Sequence, residues 1–246
     1  MTGVEIAVAL AAVLVGALTK SVTGMGFPLV AIPVISLFVS VEDAVVVIAL
    51  PNVAMNLVLF LGVRSSWSDT RDLPVLSISG IVGAVVGTFV LVRVPEDLLV
   101  LVLAVVVLVY VASSLGNRQP TVAPATARRW AAPVGALAGV MQGAVGISGP
   151  IVSSWIHSYR LPRDAFVLSV TLMFLLSGST QFVVLAAEGA ITGTRLALTL
   201  AAVPLVLATV PLGTWVRHRL PEGGFDRVVL GVLALSAVAL VVRVLA

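Results

Sequence analysis

The sequence contains no cysteine and very few charged residues. Without cysteine, the 246-residue chain can form no disulfide and no thiolate metal site. Only 10% of its residues are charged, whereas the share in a soluble domain is about a quarter. In contrast, 60% are hydrophobic, and the mean hydropathy is +1.19. These values exclude an ordinary soluble domain and predict an all-α integral membrane protein, because in lipid a helix satisfies its own backbone.

The chain also lacks the residue groupings that enzymes and cation carriers need. No nucleophile–base set, phosphate-binding loop or metal cluster stands out, so we expect neither an enzyme nor a cofactor. No Asp or Glu lies in the middle of an apolar segment, which disfavours a metal cation as cargo. The pI near 10.2 comes from loop arginines, with no basic run longer than Arg128-Arg129. We therefore expect no nucleic-acid partner.

What the chain does have is a series of apolar stretches. Spanning a bilayer takes about 20 apolar residues, and three of the stretches (29–40, 131–146 and 150–159) are too short to span comfortably. The first stretch carries Glu5 and has no basic residues before it, so we expect a spanning helix rather than a cleaved signal. The stretches cover residues 4–22, 29–40, 43–62, 73–92, 97–115, 131–146, 150–159, 165–187, 196–216 and 228–245.

A ten-residue segment occurs twice. Residues 87–96 and 213–222 are identical at six of ten positions, at an offset of 126. Each contains the sequence Arg-x-Pro-Glu, which we expect to cap a join between helices. A duplicated half in so apolar a chain is typical of transporters built from internal repeats.

The repeat extends over nearly the whole chain. Aligning Gly24 with Gly146 also aligns Pro28 with Pro150. We therefore predict one membrane domain over 1–246, with repeats 1–115 and 131–246. The polar segment 116–130 is predicted to be the loop that joins them.

Each half is interrupted by glycine and proline at the same place. The interruptions, which we call the first tip (residues 23–28) and the second tip (residues 146–150), read Thr-Gly-Met-Gly-Phe-Pro and Gly-Ile-Ser-Gly-Pro. Such clusters break a helix, and each proline suits the first turn of the next one. Broken helices at corresponding positions indicate a transporter's binding site, although Gly and Pro can also merely kink packed helices.

The arginines distinguish two crossing patterns. If each half made four plain crossings, seven arginines would face one side and six the other. If each tip were instead a re-entrant hairpin followed by three crossings, the second half would be inverted, and the split would be ten against three. The positive-inside rule favours this second pattern, conventionally countable as about eight transmembrane helices, with both termini outside and 116–130 in the cytoplasm. The minority side then carries Arg93, Arg195 and Arg243.

The tips supply the candidate substrate-binding residues. Under the inverted pattern, the helices that follow them bring positive N-terminal ends to the middle of the membrane, where they favour an anion. Lys20, a basic residue within an apolar segment, precedes the first tip by one turn, and Gln142 holds the equivalent place before the second. Lys20 either faces a ligand or extends to an interface. The candidates at the tips are Lys20, Thr23, Gly24, Gly26, Gln142, Gly146, Ser148 and Gly149.

Two pairs of polar residues lie in matching helices behind the tips. Asn52 and Asn56 are four apart, as are Ser177 and Gln181, so each pair shares a helix face. These residues either line a path or bond neighbouring helices. Two glycine series, in contrast, are interpreted as helix-packing faces; they are Gly80, Gly83 and Gly87, and Gly135, Gly139 and Gly143.

With these tips, the sequence resembles the sulfite exporter TauE/SafE family, also called the toluene sulfonate uptake permease group. The matching residues are 24–28 with the later Pro33, and 146–150 in the second half, and the resemblance spans essentially the whole chain. It implies a small multi-pass protein of the bacterial inner membrane that moves sulfite, sulfonates or related organic anions.

The leading hypothesis is a secondary transporter of a small sulfur oxyanion that alternates access around a midplane site. An anion channel, a transporter of an unrelated small solute, and a membrane-embedded enzyme or assembly subunit are the alternatives. The expected partners are a small anion and the lipid bilayer; a homodimer is one assembly that the sequence allows.

Overall fold

A computed structural model describes residues 3–23, 26–115, 122–217 and 224–245. Within these ranges the chain forms ten α-helices, with a short 3-10 helix at Arg64–Asp69 and no strand. The helices are α1 Gly3–Thr23, α2 Phe27–Ile35, α3 Val41–Val63, α4 Leu73–Arg93, α5 Glu96–Leu115, α6 Pro124–Val145, α7 Gly149–Ser158, α8 Arg163–Ala187, α9 Gly193–Arg217 and α10 Gly224–Leu245.

The ten predicted apolar stretches each contain most of one helix, and the helix lengths repeat. In each half a helix of about 21 residues is followed by a short one (9 residues in α2, 10 in α7) and then by three long ones. Two boundaries differ clearly from the prediction. Helix α2 ends at Ile35, five residues before the end of its predicted stretch, 29–40. Helix α6 begins at Pro124, inside the segment 116–130 that was expected to be a loop, because a proline at N1 and the alanines that follow favour a helix.

Six segments within the described ranges are long and apolar enough to cross a membrane. Helix α4 shows how they meet lipid. Ile78, Val82 and Val86, four residues apart on one face, are 65%, 60% and 51% exposed, and a soluble protein would not leave such a stripe uncovered. The six segments are Gly3–Ser21, Val41–Asp69, Leu73–Arg93, Glu96–Ser114, Arg163–Ala187 and Gly193–Leu212. The chain is therefore an all-α integral membrane protein.

The helices form two compact units, and each unit draws on both halves of the sequence. The first unit comprises Met1–Pro51, Arg93–Asn117 and Ile191–Ala246. The second comprises Asn52–Val92 and Arg118–Ala190. Helix α3 thus begins in the first unit and ends in the second.

In the first unit, α2 runs back along the end of α1. Phe27 and Ala31 of α2 lie against Gly16 of α1, where a Cβ would come within 2.7 Å of the Phe27 carbonyl oxygen. This close approach needs a glycine at position 16. Helix α1 also packs against α9, and α10 packs against α5 and α2. Helices α1 and α2 therefore form a helical hairpin.

Two side chains from distant helices hold the joint between α2 and α3. Arg243 of α10 donates to the carbonyl oxygens of Ser36 and Val39. Glu96 of α5 accepts a hydrogen bond of 2.9 Å from the N–H of Val41, the first residue of α3. Because the first N–H groups of a helix have no intrahelical partner, this carboxylate caps α3. The second copy of the Arg-x-Pro-Glu motif, residues 219–222, lies outside the described residues.

The same joint carries an ion-pair cluster. The Arg195 guanidinium donates from Nε to Asp43 Oδ1 and from Nη1 to Glu42 Oε1, both at 2.6 Å. Both carboxylates lie in the first turn of α3, where they also favour the helix dipole. Arg195 therefore ties the start of α9 to the start of α3.

In the second unit, the two glycine series pack against each other. A Cβ on Gly83 would come within 2.1 Å of the Ala136 carbonyl oxygen, and one on Gly139 within 2.0 Å of the Gly80 carbonyl oxygen. Helices α4 and α6 are thus in backbone contact, which small residues permit in membrane proteins. The interpretation of both glycine series as helix-packing faces is confirmed, and the two series pack against each other.

The joint between α7 and α8 is held by aromatic contacts. The Tyr159 hydroxyl accepts a 2.8 Å hydrogen bond from Trp155 Nε1, and the Arg71 guanidinium lies 5.2 Å from the centre of the Tyr159 ring. Burial raises the pKa of Tyr159 to about 12, so the phenol stays protonated at neutral pH. The surrounding core consists of Leu73, Leu76, Ala127, Ala131, Ala138, Val152, Ile156, Leu168, Val170, Leu172, Met173 and Phe174.

These two joints distinguish the crossing patterns. With four plain crossings in each half, residues 42 and 195 would lie on opposite membrane faces, and so would residues 71 and 159. A hydrocarbon core of about 30 Å separates the faces, whereas Arg195 lies 2.6 Å from Glu42. The hairpin pattern places both members of each pair on one face. The contacts fit this pattern, in which the second half is inverted relative to the first.

The glycine contact predicts that Gly83→Ala destabilises the protein. The added methyl group would overlap the Ala136 carbonyl, at a cost of about 1–3 kcal/mol. Thermal unfolding in detergent measures the effect. Gly231→Ala is the matched control, since a Cβ there meets nothing within 4 Å. Equal unfolding temperatures for the two variants would show that the α4–α6 contact can open without cost.

The ion-pair cluster predicts that Arg195→Met lowers the free energy of unfolding by about 1–3 kcal/mol, because Glu42 and Asp43 lose a charged donor. The control is Arg128→Met, at an exposed arginine. In a Glu42→Gln, Asp43→Asn background the same substitution should cost less, as a double-mutant cycle would measure. An unchanged cost in that background would contradict the pairing.

Candidate substrate site

The first tip places a buried lysine at the end of α1. Lys20 lies in the last turn of this helix with 2% of its surface exposed, and it is the only lysine in the sequence. Protein encloses its side chain, which does not extend to the surface. A cation in the last turn also favours the helix dipole. Thr19, beside it, is equally buried and donates to the carbonyl oxygen of Val15 at 2.8 Å.

The start of α2 depends on a left-handed glycine. Gly26 precedes the helix with φ 108°, a conformation that other residues rarely adopt, and its carbonyl accepts the N–H of Val30. Pro28 follows in the first turn of α2, as the sequence predicted. Thr23 ends α1, but its side chain and the whole of Gly24 lie outside the described residues.

Two glutamines organise the second tip. The Gln181 Nε2 donates to the carbonyl oxygens of Gln142 at 2.6 Å and of Gly143 at 3.1 Å. In return, Gln142 Nε2 donates to Gln181 Oε1 at 3.1 Å. The Gln142 carbonyl also accepts the N–H of Gly146, so Gln181 adds a second donor there. The Gly143 carbonyl is one of the last carbonyls of α6, which helix geometry leaves without a backbone donor, and the Gln181 amide supplies one. All of these groups are buried.

Ser148 extends this network to the start of α7. Its hydroxyl donates to Gln142 Oε1 at 2.9 Å and makes no cap bond to α7, although Ser148 occupies the N-cap position. Gly146, the C-cap of α6, has φ 71° and donates its N–H to the Gln142 carbonyl. Gln142 therefore connects the end of one broken helix with the beginning of the next.

Packing does not require the glycine at position 149, in the first turn of α7. A Cβ there would lie 3.9 Å from an atom of Phe174, which is an ordinary van der Waals contact. Gly83 and Gly139, in contrast, could not accept a Cβ without a clash.

The polar pairs behind the tips are bonded in different ways. Asn56 Nδ2 donates to the Asn52 backbone oxygen at 2.8 Å and to Asn52 Oδ1 at 3.1 Å, and both residues are buried. Ser177 donates to the Met173 carbonyl of its own helix. Gln181 instead reaches α6, so it bonds neighbouring helices, which was one of the two predicted roles.

The structure thus brings some candidates together and leaves others apart. Gln142, Gly146, Ser148 and Gln181 form one bonded group, and Asn52 and Asn56 form a second. Ser177 and Gly149 belong to neither group: Ser177 bonds within its own helix, and Gly149 lies near Phe174. The sequence interpretation omitted Thr19, which could have been found because it is a hydroxyl residue directly before Lys20.

The comparison with protein families agrees with this arrangement. Residues 8–240 match the family described as Sulfite exporter TauE/SafE. The chain belongs to this family. Its members are membrane transporters of sulfur-containing anions rather than enzymes, and the resemblance noted from the two tips is confirmed. Comparisons with curated proteins and with solved structures gave no match.

The second tip predicts that Gln181→Glu destabilises this TauE/SafE protein. A carboxylate cannot donate to the two α6 carbonyls. The Gln142 carbonyl keeps the N–H of Gly146, but the Gly143 carbonyl loses the Gln181 donor, and an unpaired buried group costs about 1–3 kcal/mol. Thermal unfolding in detergent measures the loss. Thr180→Val is the matched control, because that hydroxyl bonds only the Leu176 carbonyl of its own helix. If Gln181→Glu unfolds no earlier than Thr180→Val, the amide network does not hold the tip.

Proposed function

We propose that this protein is a secondary transporter that carries sulfite or an organosulfonate-type oxyanion by alternating access around a midplane site at the two tips. Its family transports sulfur-containing anions, and each tip begins a helix, α2 or α7, in apolar surroundings. The N-terminal N–H groups and the positive dipole end of such a helix attract anions. In the proposed site, Lys20, Thr23, Gly24, Gly26, Gln142, Gly146, Ser148 and Gly149 lie nearest the substrate, with Asn52, Asn56, Ser177 and Gln181 behind them.

The buried Lys20 carries this proposal. Enclosing an ammonium in an apolar span is costly, so charged residues there are generally retained for function. A bound oxyanion would offset that cost through a charge-assisted hydrogen bond. Ser148 and the Gln142 amide supply neutral polar groups at the second tip.

Helix α3 offers a hinge for alternating access. The boundary between the two compact units falls inside this helix, between Pro51 and Asn52. Pro51 has no N–H and cannot bond the carbonyl of Val47, so the helix bends most easily there. We propose that α3 flexes at Pro51 during transport.

The proposed orientation places 116–130 in the cytoplasm of a bacterial cell and the protein in its inner membrane. Of the three arginines assigned to the outer face, Arg195 and Arg243 hold the α2–α3 joint. The positive-inside rule would place these two arginines on the cytoplasmic side, and their hydrogen bonds at the joint explain why they lie on the proposed outer face instead. The bilayer and a small anion remain the proposed partners, with no nucleic acid, and a homodimer remains compatible with this arrangement.

Uptake of sulfite into vesicles containing the purified protein tests the role of Lys20. Lys20→Met should reduce the initial rate about 10- to 100-fold, since a charged hydrogen bond contributes about 1.5–3 kcal/mol. Lys20→Arg should retain more activity than Lys20→Met. Arg128→Gln, which removes one exposed charge, should transport at the wild-type rate.

Three results would count against the proposal. Transport at the wild-type rate by a folded Lys20→Met variant would show that the lysine is not part of the substrate site. Equilibration without accumulation, under every ion gradient applied, would indicate a channel. Competition by acetate as strong as that by ethanesulfonate would indicate a different cargo.

A further inference from the structure

A second basic site lies at the joint between α7 and α8. A cavity of about 410 Å³ there is lined by His157, Arg160, Leu161, Arg163 and Phe166. Three of these side chains carry or can accept a positive charge, and none of the described lining residues is acidic. The cavity lies at the opposite end of α7 from the second tip, so it is separate from the proposed transport site.

The backbone of this joint is strained. Arg160 has φ 54°, one of only two non-glycine residues with positive φ in the described ranges. The left-handed conformation costs an L-residue other than glycine about 1–2 kcal/mol, and such strain tends to persist where it serves a function. The His157 ring also packs edge-on against Phe166, with ring centres 5.9 Å apart, so the wall of the cavity is ordered on this side.

The position in the membrane identifies the ligand class. Arg163 is the first residue of α8, a 25-residue span. At 1.5 Å per residue α8 is about 37 Å long, which exceeds a hydrocarbon core of about 30 Å. Its first residue therefore lies at the level of the lipid headgroups. Leu161 and Phe166 add an apolar surface that suits the upper part of an acyl chain.

We propose that this cavity binds the phosphate headgroup of an anionic phospholipid. Arg160 and Arg163 pair with the phosphodiester oxygens, and Leu161 and Phe166 contact the glycerol and the first methylenes of a chain. Basic pockets at the ends of membrane helices recognise such headgroups, with each arginine contributing about 1 kcal/mol. Occupancy would fix the C-terminal end of α7, the helix whose other end forms the second tip.

Titration of purified protein in detergent with short-chain lipids tests the site. Dihexanoyl phosphatidylglycerol should raise the unfolding temperature with a saturable dependence, whereas dihexanoyl phosphatidylcholine should not. Arg160→Asn with Arg163→Gln should weaken the apparent affinity about 10- to 30-fold, as expected for the loss of two charges. Asn is chosen at position 160 because it tolerates positive φ.

The double variant Arg128→Gln with Arg129→Gln is the control, since it removes the same charge from exposed positions at the start of α6. It should bind phosphatidylglycerol as the wild type does. Arg163→Gln alone, which leaves the strained residue intact, should show about a fivefold loss and guards against misfolding of the double variant.

Four results would overturn the proposal. Equal binding of the two lipids would indicate apolar contact only. Equal loss in the control variant would indicate general surface charge. Stabilisation by inorganic phosphate at the same concentrations would indicate a soluble anion as the ligand. Displacement of the lipid by sulfite would assign the cavity to the transport pathway. Vesicle uptake of sulfite is measured separately, so failure of one proposal does not entail failure of the other.

Discussion

A helix can end inside a bilayer only where other groups hydrogen-bond its last carbonyls. At the second tip that requirement is met by the Gly146 N–H, which bonds the Gln142 carbonyl, and by the Gln181 amide, which bonds the carbonyls of Gln142 and Gly143. Gly146 can then turn the chain, Ser148 can bond back to Gln142, and α7 can begin within the membrane. The position of the α7 N-terminus, and with it the proposed anion site, depends on these bonds.

Local features of the sequence predicted much of the fold. The apolar stretches located the ten helices, and the glycine and proline residues located both tips. Helices and helix breaks could be predicted because each depends on residues that are close together in the sequence. Contacts between helices could not be predicted in this way. Nothing in the sequence indicates that the Gly83 series meets the Gly139 series, or that Gln181 bonds α6, because these contacts join helices far apart in the chain. The arginine count was sufficient to choose the crossing pattern, but it could not show that Arg195 and Arg243 are committed to one joint.

Corresponding joints in the two halves are held by different chemistry. Near the start of the fourth helix of each half lies an arginine, Arg71 or Arg195. Arg195 binds two carboxylates at the start of α3, whereas Arg71 lies over the ring of Tyr159. Arg71 Nε also lies 3.6 Å from Asp72 Oδ2, so the joint between α7 and α8 combines an ion pair with the ring contact.

The interleaving of the helices makes the two halves of the chain depend on each other. Helix α1 packs against α9, and α6 packs against α4, so the first helix of each half has the fourth helix of the other half as its partner. Neither half contains this partner among its own residues. Cutting the chain between the halves would therefore separate each of these first helices from the helix it packs against.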